Sequence, residues 1–95
     1  SKVPDELQWR EVESTNVARV GFDIVDALED DEGKRGDLYV QFHSSGGVYR
    51  YEDVPVGVWE ELCGVIEAEE SVGRFVNAEL RGGGYEYERL EDDDD

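Results

Sequence analysis

Cysteine and histidine are scarce in this chain, and methionine is absent. Cys63 is the single cysteine, so no disulfide closes within the chain. That count fits an intracellular setting, or a fold that stands without covalent staples. His43 is the single histidine. One His and one Cys do not build a zinc site without recruiting several acids. A Ser-His-acid triad would have to pair His43 with Ser44 or Ser45. Neighbouring strand residues point to opposite faces, which is poor geometry for that chemistry. Cys63 falls among apolar residues at helical spacing and reads as a small core residue. Apolar runs are short, far below the ~20 residues of a membrane span. Neither an enzyme active site, a metal, a cofactor nor a membrane partner is therefore expected.

Basic residues are also few. Lys2 and Lys34 are the two lysines beside seven arginines, against 26 acids, and the formal net charge is −17. The tail Glu91-Asp92-Asp93-Asp94-Asp95 carries five of those charges, which leaves −12 spread along the rest. A specific decoy for a basic partner would cluster its acids. A spread of this kind is expected instead of adaptation to a very salty cytoplasm, where the Debye length is ~3 Å at 1 M salt.

Ninety-five residues make one domain with one modest core. The domain is expected over residues 8–90, with a loose arm at 1–7 around Pro4 and a disordered acidic tail at 91–95. Trp9 is the first candidate to pack, and residues 11–16 read as a strand start or turn. Ala18, Val20, Phe22 and Ile24 alternate with polar or small residues, the mark of a half-buried strand. Residues 26–37 are acid-rich, contain Gly33 and Gly36, and show no periodicity, so they read as a long solvated connection. A calcium loop fails there. Counted from Asp26, the third position is Leu28 and the sixth, where a glycine belongs, is Asp31. Leu38, Val40 and Phe42 form a second alternating set. Ser44-Ser45-Gly46-Gly47 reads as a turn.

A third strand follows from Val48, with Tyr49 and Tyr51 on one face and Val48, Arg50 and Glu52 on the other. Pro55 fits the first turn of a helix that carries Val58, Trp59, Leu62, Cys63 and Ile66 at helical spacing. Ser71 reads as the N-cap of a second short helix with Val72, Phe75, Val76 and Leu80. Gly82-Gly83-Gly84 ends it, and residues 85–90 alternate as a last strand. The expected fold is α+β. A small antiparallel sheet of about four strands, in chain order β-β-β-α-α-β, has two short helices packed on one face.

These residues resemble the KTSC domain family. The resemblance runs in order through Val12-Glu13-Ser14-x-Asn16-Val17, Gly21-Phe22-Asp23 and Leu38-x-Val40-x-Phe42. It continues through Gly47-Val48-Tyr49-Arg50-Tyr51, Val54-Pro55, Trp59 and Ser71-Val72-Gly73-Arg74-Phe75-Val76-Asn77. Leu80-Arg81 and Tyr85-x-Tyr87 close it. The family occurs at the C-terminus of some lysyl-tRNA synthetases and as lone small proteins in bacteria, archaea and their viruses. It implies a non-enzymatic binding module, with RNA or a ribonucleoprotein as partner. Its viral members imply an alternative, an assembly component of a halophilic virus particle that associates with itself. The corresponding locations are a high-salt cytoplasm and a virion.

The candidate interface comprises Tyr49, Arg50, Tyr51, Tyr85 and Tyr87 with Ser71, Gly73, Arg74, Asn77 and Arg81. Exposed tyrosines on a sheet stack bases, at ~1–3 kcal/mol per base in single-stranded binders. The same rings turned inward would only fill a core, and the sequence leaves their direction open. Arg50, Arg74, Arg81 and Arg89 form the local basic set that would have to offset the acidic surface. Ser71 to Arg74 would supply a helix N-terminus for an anion; an ordinary cap is the simpler reading.

Overall fold

The computed structural model describes residues 3–4, 7–30, 33–43 and 46–90, with the backbone alone at 25–30 and 33. Among these residues five strands form one sheet in the order β1-β2-β3-β4-β5, every neighbour antiparallel. They are β1 Arg10–Glu11, β2 Val17–Asp30, β3 Gly33–Phe42, β4 Val48–Pro55 and β5 Tyr87–Leu90. Between β4 and β5 run α1 Val56–Glu67 and α2 Val72–Phe75, and α2 passes directly into a π-helical segment, Val76–Arg81. The α+β expectation holds, with β1 as an added short edge strand. No helix among the described residues is long and apolar enough to cross a membrane.

The acid-rich stretch at 26–37 corrects the sequence reading. Its described residues, 26–30 and 33–37, are strand and not a long solvated connection: β2 runs to Asp30 and β3 starts at Gly33, with Val25 opposite Arg35 and, after a register shift, Asp30 opposite Gly33. Ladder hydrogen bonds belong to the backbone. A hairpin arm can therefore extend beyond the core without the apolar alternation that reveals a half-buried strand. Pro55 also shifts by one place. It is the N-cap of α1 and the last residue of β4, with φ −63° and ψ 145°.

Period-two alternation sorts the sheet into two faces. Val20, Phe22, Leu38, Val40, Tyr51 and Val54 face the helices and pack with Leu62, Val72, Val76 and Leu80 into the main core. Phe22 stacks on Trp59 of α1, ring centroids 5.5 Å apart. The opposite face carries a smaller cluster of Tyr39, Val48 and Leu90, covered by Val3, Leu7 and Trp9. Trp9 meets Tyr39 edge-on, and the Arg19 guanidinium lies 4.1 Å from the centre of a Trp9 ring. Thus Val3 and Leu7, within the arm expected to be loose, lie on the sheet. The tail at 91–95 lies outside the described residues.

Two residues other than glycine adopt positive φ. Asp53, at φ 61°, is in the β4 bulge where the register against Gly36 and Leu38 shifts by one residue. Glu69, at φ 59°, follows the C-cap Ala68 of α1. Its N–H bonds the Ile66 carbonyl and the Glu70 N–H bonds the Val65 carbonyl, the paired bonds of a Schellman ending. Glycine suits that left-handed position because it has no Cβ to crowd the following carbonyl. Glu69→Gly is expected to stabilise by roughly 0.5–1 kcal/mol. Glu69→Ala removes the same charge but keeps the Cβ, so thermal melts of the two variants separate backbone strain from charge. Equal melting temperatures would contradict the strain assignment.

Candidate functional site

The structure divides the expected interface into four places. Tyr49, Tyr51 and Tyr87 form a row on the helix side of β4 and β5. Tyr51 and Tyr87 are directly opposite in the ladder, with ring centroids 5.7 Å apart, and Tyr87 lies 6.0 Å from Tyr49. Phe42 meets Tyr49 edge-on at 5.5 Å. Exposure is graded along the row: Tyr51 is buried at 1%, Tyr49 is half-buried, and Tyr87 is exposed at 61%. The direction left open by the sequence is therefore settled. All three rings point to the helix side, and the helices cover Tyr51 but not Tyr87.

Burial pushes the Tyr51 hydroxyl above its ordinary titration range, opposed by the nearby Arg81 guanidinium. Arg81 leaves the last π-helical turn, where it donates to the Asn77 side-chain oxygen at 3.3 Å. Arg89 shares the tyrosine face, opposite Tyr49 in the ladder. Its guanidinium lies over Gly47, where a Cβ would come within 2.8 Å of the Arg89 Nε. Neither Arg81 nor Arg89 pairs with a carboxylate among the described residues. In the sequence Arg89 stands out only as one of a diffuse basic set. The alternation Tyr87-x-Arg89 already placed it on the tyrosine face.

Arg50 does not belong with the tyrosines. It points to the other face, donating to Glu88 at 2.7 Å and Glu52 at 3.2 Å. Burial opposes its charge, but the Tyr39 hydroxyl and the Glu88 and Glu52 carboxylates nearby raise its pKa on balance. This cation holds Glu52 and Glu88 together on the face opposite the tyrosine row. Beside it, Asp23 and Asp37 are directly opposed across β2 and β3. Burial, with Glu52 and Asp23 nearby, raises the Asp37 pKa above 3.8 despite the attraction of Arg50.

A carboxyl that binds its proton more tightly when folded lowers stability as pH rises through the window above 3.8. The penalty then stays constant at higher pH. Asp37→Asn is expected to melt higher than the parent at pH 7, with the gap closing as pH falls below about 4. Melts across that range check it, and a gap independent of pH would contradict it.

The remaining candidates scatter. Ser71 caps α2 by accepting the Arg74 N–H at 3.2 Å, which consumes one of the donors an anion would need. Gly73 is buried, its Cα side against Asn16, where a Cβ would come within 3.3 Å of the Nδ2. Arg74 and Asn77 are exposed. Arg74 lines a hollow with Glu70, Glu79 and Phe75, and those carboxylates compete with any anion there. Tyr85 is half-buried against the main core beside Arg35, Asp53 and Gly83-Gly84, with no ring contact to the row. The expected cradle at Ser71-Gly73-Arg74 is therefore an ordinary cap with a packing contact. His43 is exposed and Cys63 is half-buried. Among the described residues no three of His, Cys, Asp and Glu gather around a common point that would hold a metal.

Comparison with known proteins adds a family. Residues 30–88, more than half of the chain, match the family model of the KTSC domain. The matched span runs from the end of β2 through both helices into β5 and so contains the whole tyrosine row. No curated protein matches the chain.

Proposed function

Because the chain belongs to the KTSC domain family, we propose that it is a small binding module that takes single-stranded RNA on the exposed end of its tyrosine row. One observation carries the reading. Tyr87 is 61% exposed yet backed by Tyr49 and Tyr51, with Arg89 on the same face and the Arg81 guanidinium near Tyr51. A ring held from behind by two others loses little freedom when a base stacks on its outer face. Base–aromatic stacking tolerates any sequence, because every base has a π-face. The two guanidinium groups meet the phosphates that such a base brings with it.

The charge of −17 opposes phosphate at long range. In molar salt the Debye length shrinks to ~3 Å, and contact stacking then outweighs the distant field. Tyr51 anchors the row from within the core and touches no ligand. Arg50 and Tyr85, placed elsewhere, take no part.

Anisotropy of a labelled single-stranded RNA in molar KCl tests the reading. Tyr87→Ala is expected to weaken binding roughly 5-fold or more, the equivalent of one lost stack. Replacing Arg81 and Arg89 together by Gln is expected to weaken binding and flatten its salt dependence. Unchanged affinity in Tyr87→Ala, or no binding by the parent chain, would overturn the proposal. DNA of the same sequence shows whether the 2′-hydroxyl contributes.

A further inference from the structure

The edges of the sheet are unequal. At one side β1 is two residues long; at the other, β5 ends the sheet with four. The Glu52 N–H donates to the Glu86 carbonyl at 2.9 Å. Antiparallel hydrogen-bonded pairs alternate with non-bonded ones. With Arg50 opposite Glu88 and Val48 opposite Leu90, the backbone groups of residues 86, 88 and 90 turn toward β4. Those of Tyr87 and Arg89 turn outward.

We propose that the outer edge of β5 pairs antiparallel with the same edge of a second copy, about a two-fold axis at Glu88. In that register Tyr87 of each copy exchanges both backbone hydrogen bonds with Arg89 of the other. Because residues directly opposite share a face, the Arg89 guanidinium comes beside the Tyr87 ring of the other copy, a cation–π arrangement. The two Glu88 side chains meet on the opposite face, each already held by an Arg50 at 2.7 Å. The like charges at the axis are thereby compensated within each copy.

Two neighbouring carboxylates, Glu86 on each chain, lie outside this compensation, so pairing strengthens with salt. β1 covers β2 only beside Arg19 and Val20, but the β5 contact is the same edge meeting itself, so a two-fold pair uses it up. The association closes at a dimer and does not grow into a filament. It goes beyond the RNA reading and bears on it, since the other copy's Arg89 takes the outer side of the Tyr87 ring that a base would cover, so RNA and the second copy compete there.

Light scattering and amide exchange in 2 M KCl, without RNA, test it. The expected result is a dimer in which the Tyr87 and Arg89 amides are protected. Arg89→Pro removes an outward N–H without touching the inner ladder, as edge strands tolerate. It is expected to weaken the dimer on the order of tenfold or more, since symmetry removes the bond twice. Glu88→Cys in a Cys63→Ser chain is expected to cross-link to its own copy. A non-bonded antiparallel pair places its Cα atoms about 4.5 Å apart, within disulfide reach.

A monomer at millimolar concentration in 2 M KCl would overturn the proposal. So would a dimer that Arg89→Pro leaves intact and Glu88→Cys does not cross-link. Amides of Tyr87 and Arg89 protected only on adding RNA would overturn it too, and would give the edge to RNA. A monomer that still binds RNA separates the failure of this proposal from failure of the RNA reading.

Discussion

Tyr51→Ala is expected to remove about 3–5 kcal/mol of stability, the range for deleting a large buried ring. Tyr51 is the largest of the fully buried side chains, at 1% exposure. It lies within the main core and behind Tyr87, so solvent cannot refill the space. At roughly 4–8 °C per kcal/mol for a domain of this size, the melting temperature should fall by ~12–40 °C. Domains of this kind hold only about 5–15 kcal/mol in all, so the variant would be marginal in dilute buffer. Tyr51→Phe keeps the ring and should lose far less. Tyr87→Ala, in the same row but exposed, should stay within about 1 kcal/mol of the parent. Thermal melts of the three variants measure the grading directly. A mild Tyr51→Ala would mean that the row is not anchored in the core.

Gly36→Ala is expected to cost about 3 kcal/mol, at the upper end of overpacking. A Cβ there would lie against the Asp23 carbonyl oxygen and 2.9 Å from the Ile24 Cα. Both are backbone atoms of the paired strand β2, so no side chain can swing away. The ladder itself must part. The same substitution at Gly64 on α1 meets nothing within 4 Å. There it should stabilise by roughly 0.5–1 kcal/mol, the difference in helix propensity. Opposite signs for one chemical change, read as shifts of the denaturation midpoint, test the close approach of β2 and β3. A neutral Gly36→Ala would contradict it.

The fold was largely legible because its signals are local. Alternation at 18–24, 38–42 and 48–52 gave the strands, and the spacing of Val58, Leu62 and Ile66 gave α1. The outer half of the β2–β3 hairpin was not legible, since its pairing is made by backbone and leaves no apolar period. Nor was the second face of the sheet. Tyr39, Val48 and Leu90 come from three strands, and Val3, Leu7 and Trp9 from an irregular segment. Nothing in their spacing announces that they meet.

For the site, the composition of the tyrosine row was visible but its gradient of exposure was not. Tyr49 and Tyr51 share a strand face by periodicity, yet which of them the helices cover depends on where α1 and the π-helical segment end. Arg50, adjacent to both tyrosines in sequence, lies on the other face for the same period-two reason. Ser71 and Gly73 matched an anion-binding pattern that the structure uses for capping and for packing against Asn16.

The central claim is that Tyr87 with Arg81 and Arg89 forms the ligand-facing surface, while Tyr51 and Arg50 are structural. The most direct measurement is an NMR titration of the labelled protein with single-stranded RNA in molar KCl, followed at the tyrosine rings and arginine side chains. The predicted result is that the Tyr87 ring and the Arg81 and Arg89 side chains shift most, Tyr49 less, and Arg50 and Asp37 not at all. Shifts centred on Arg50, Asp37 and Glu88, or no shifts with RNA in excess, would contradict the account.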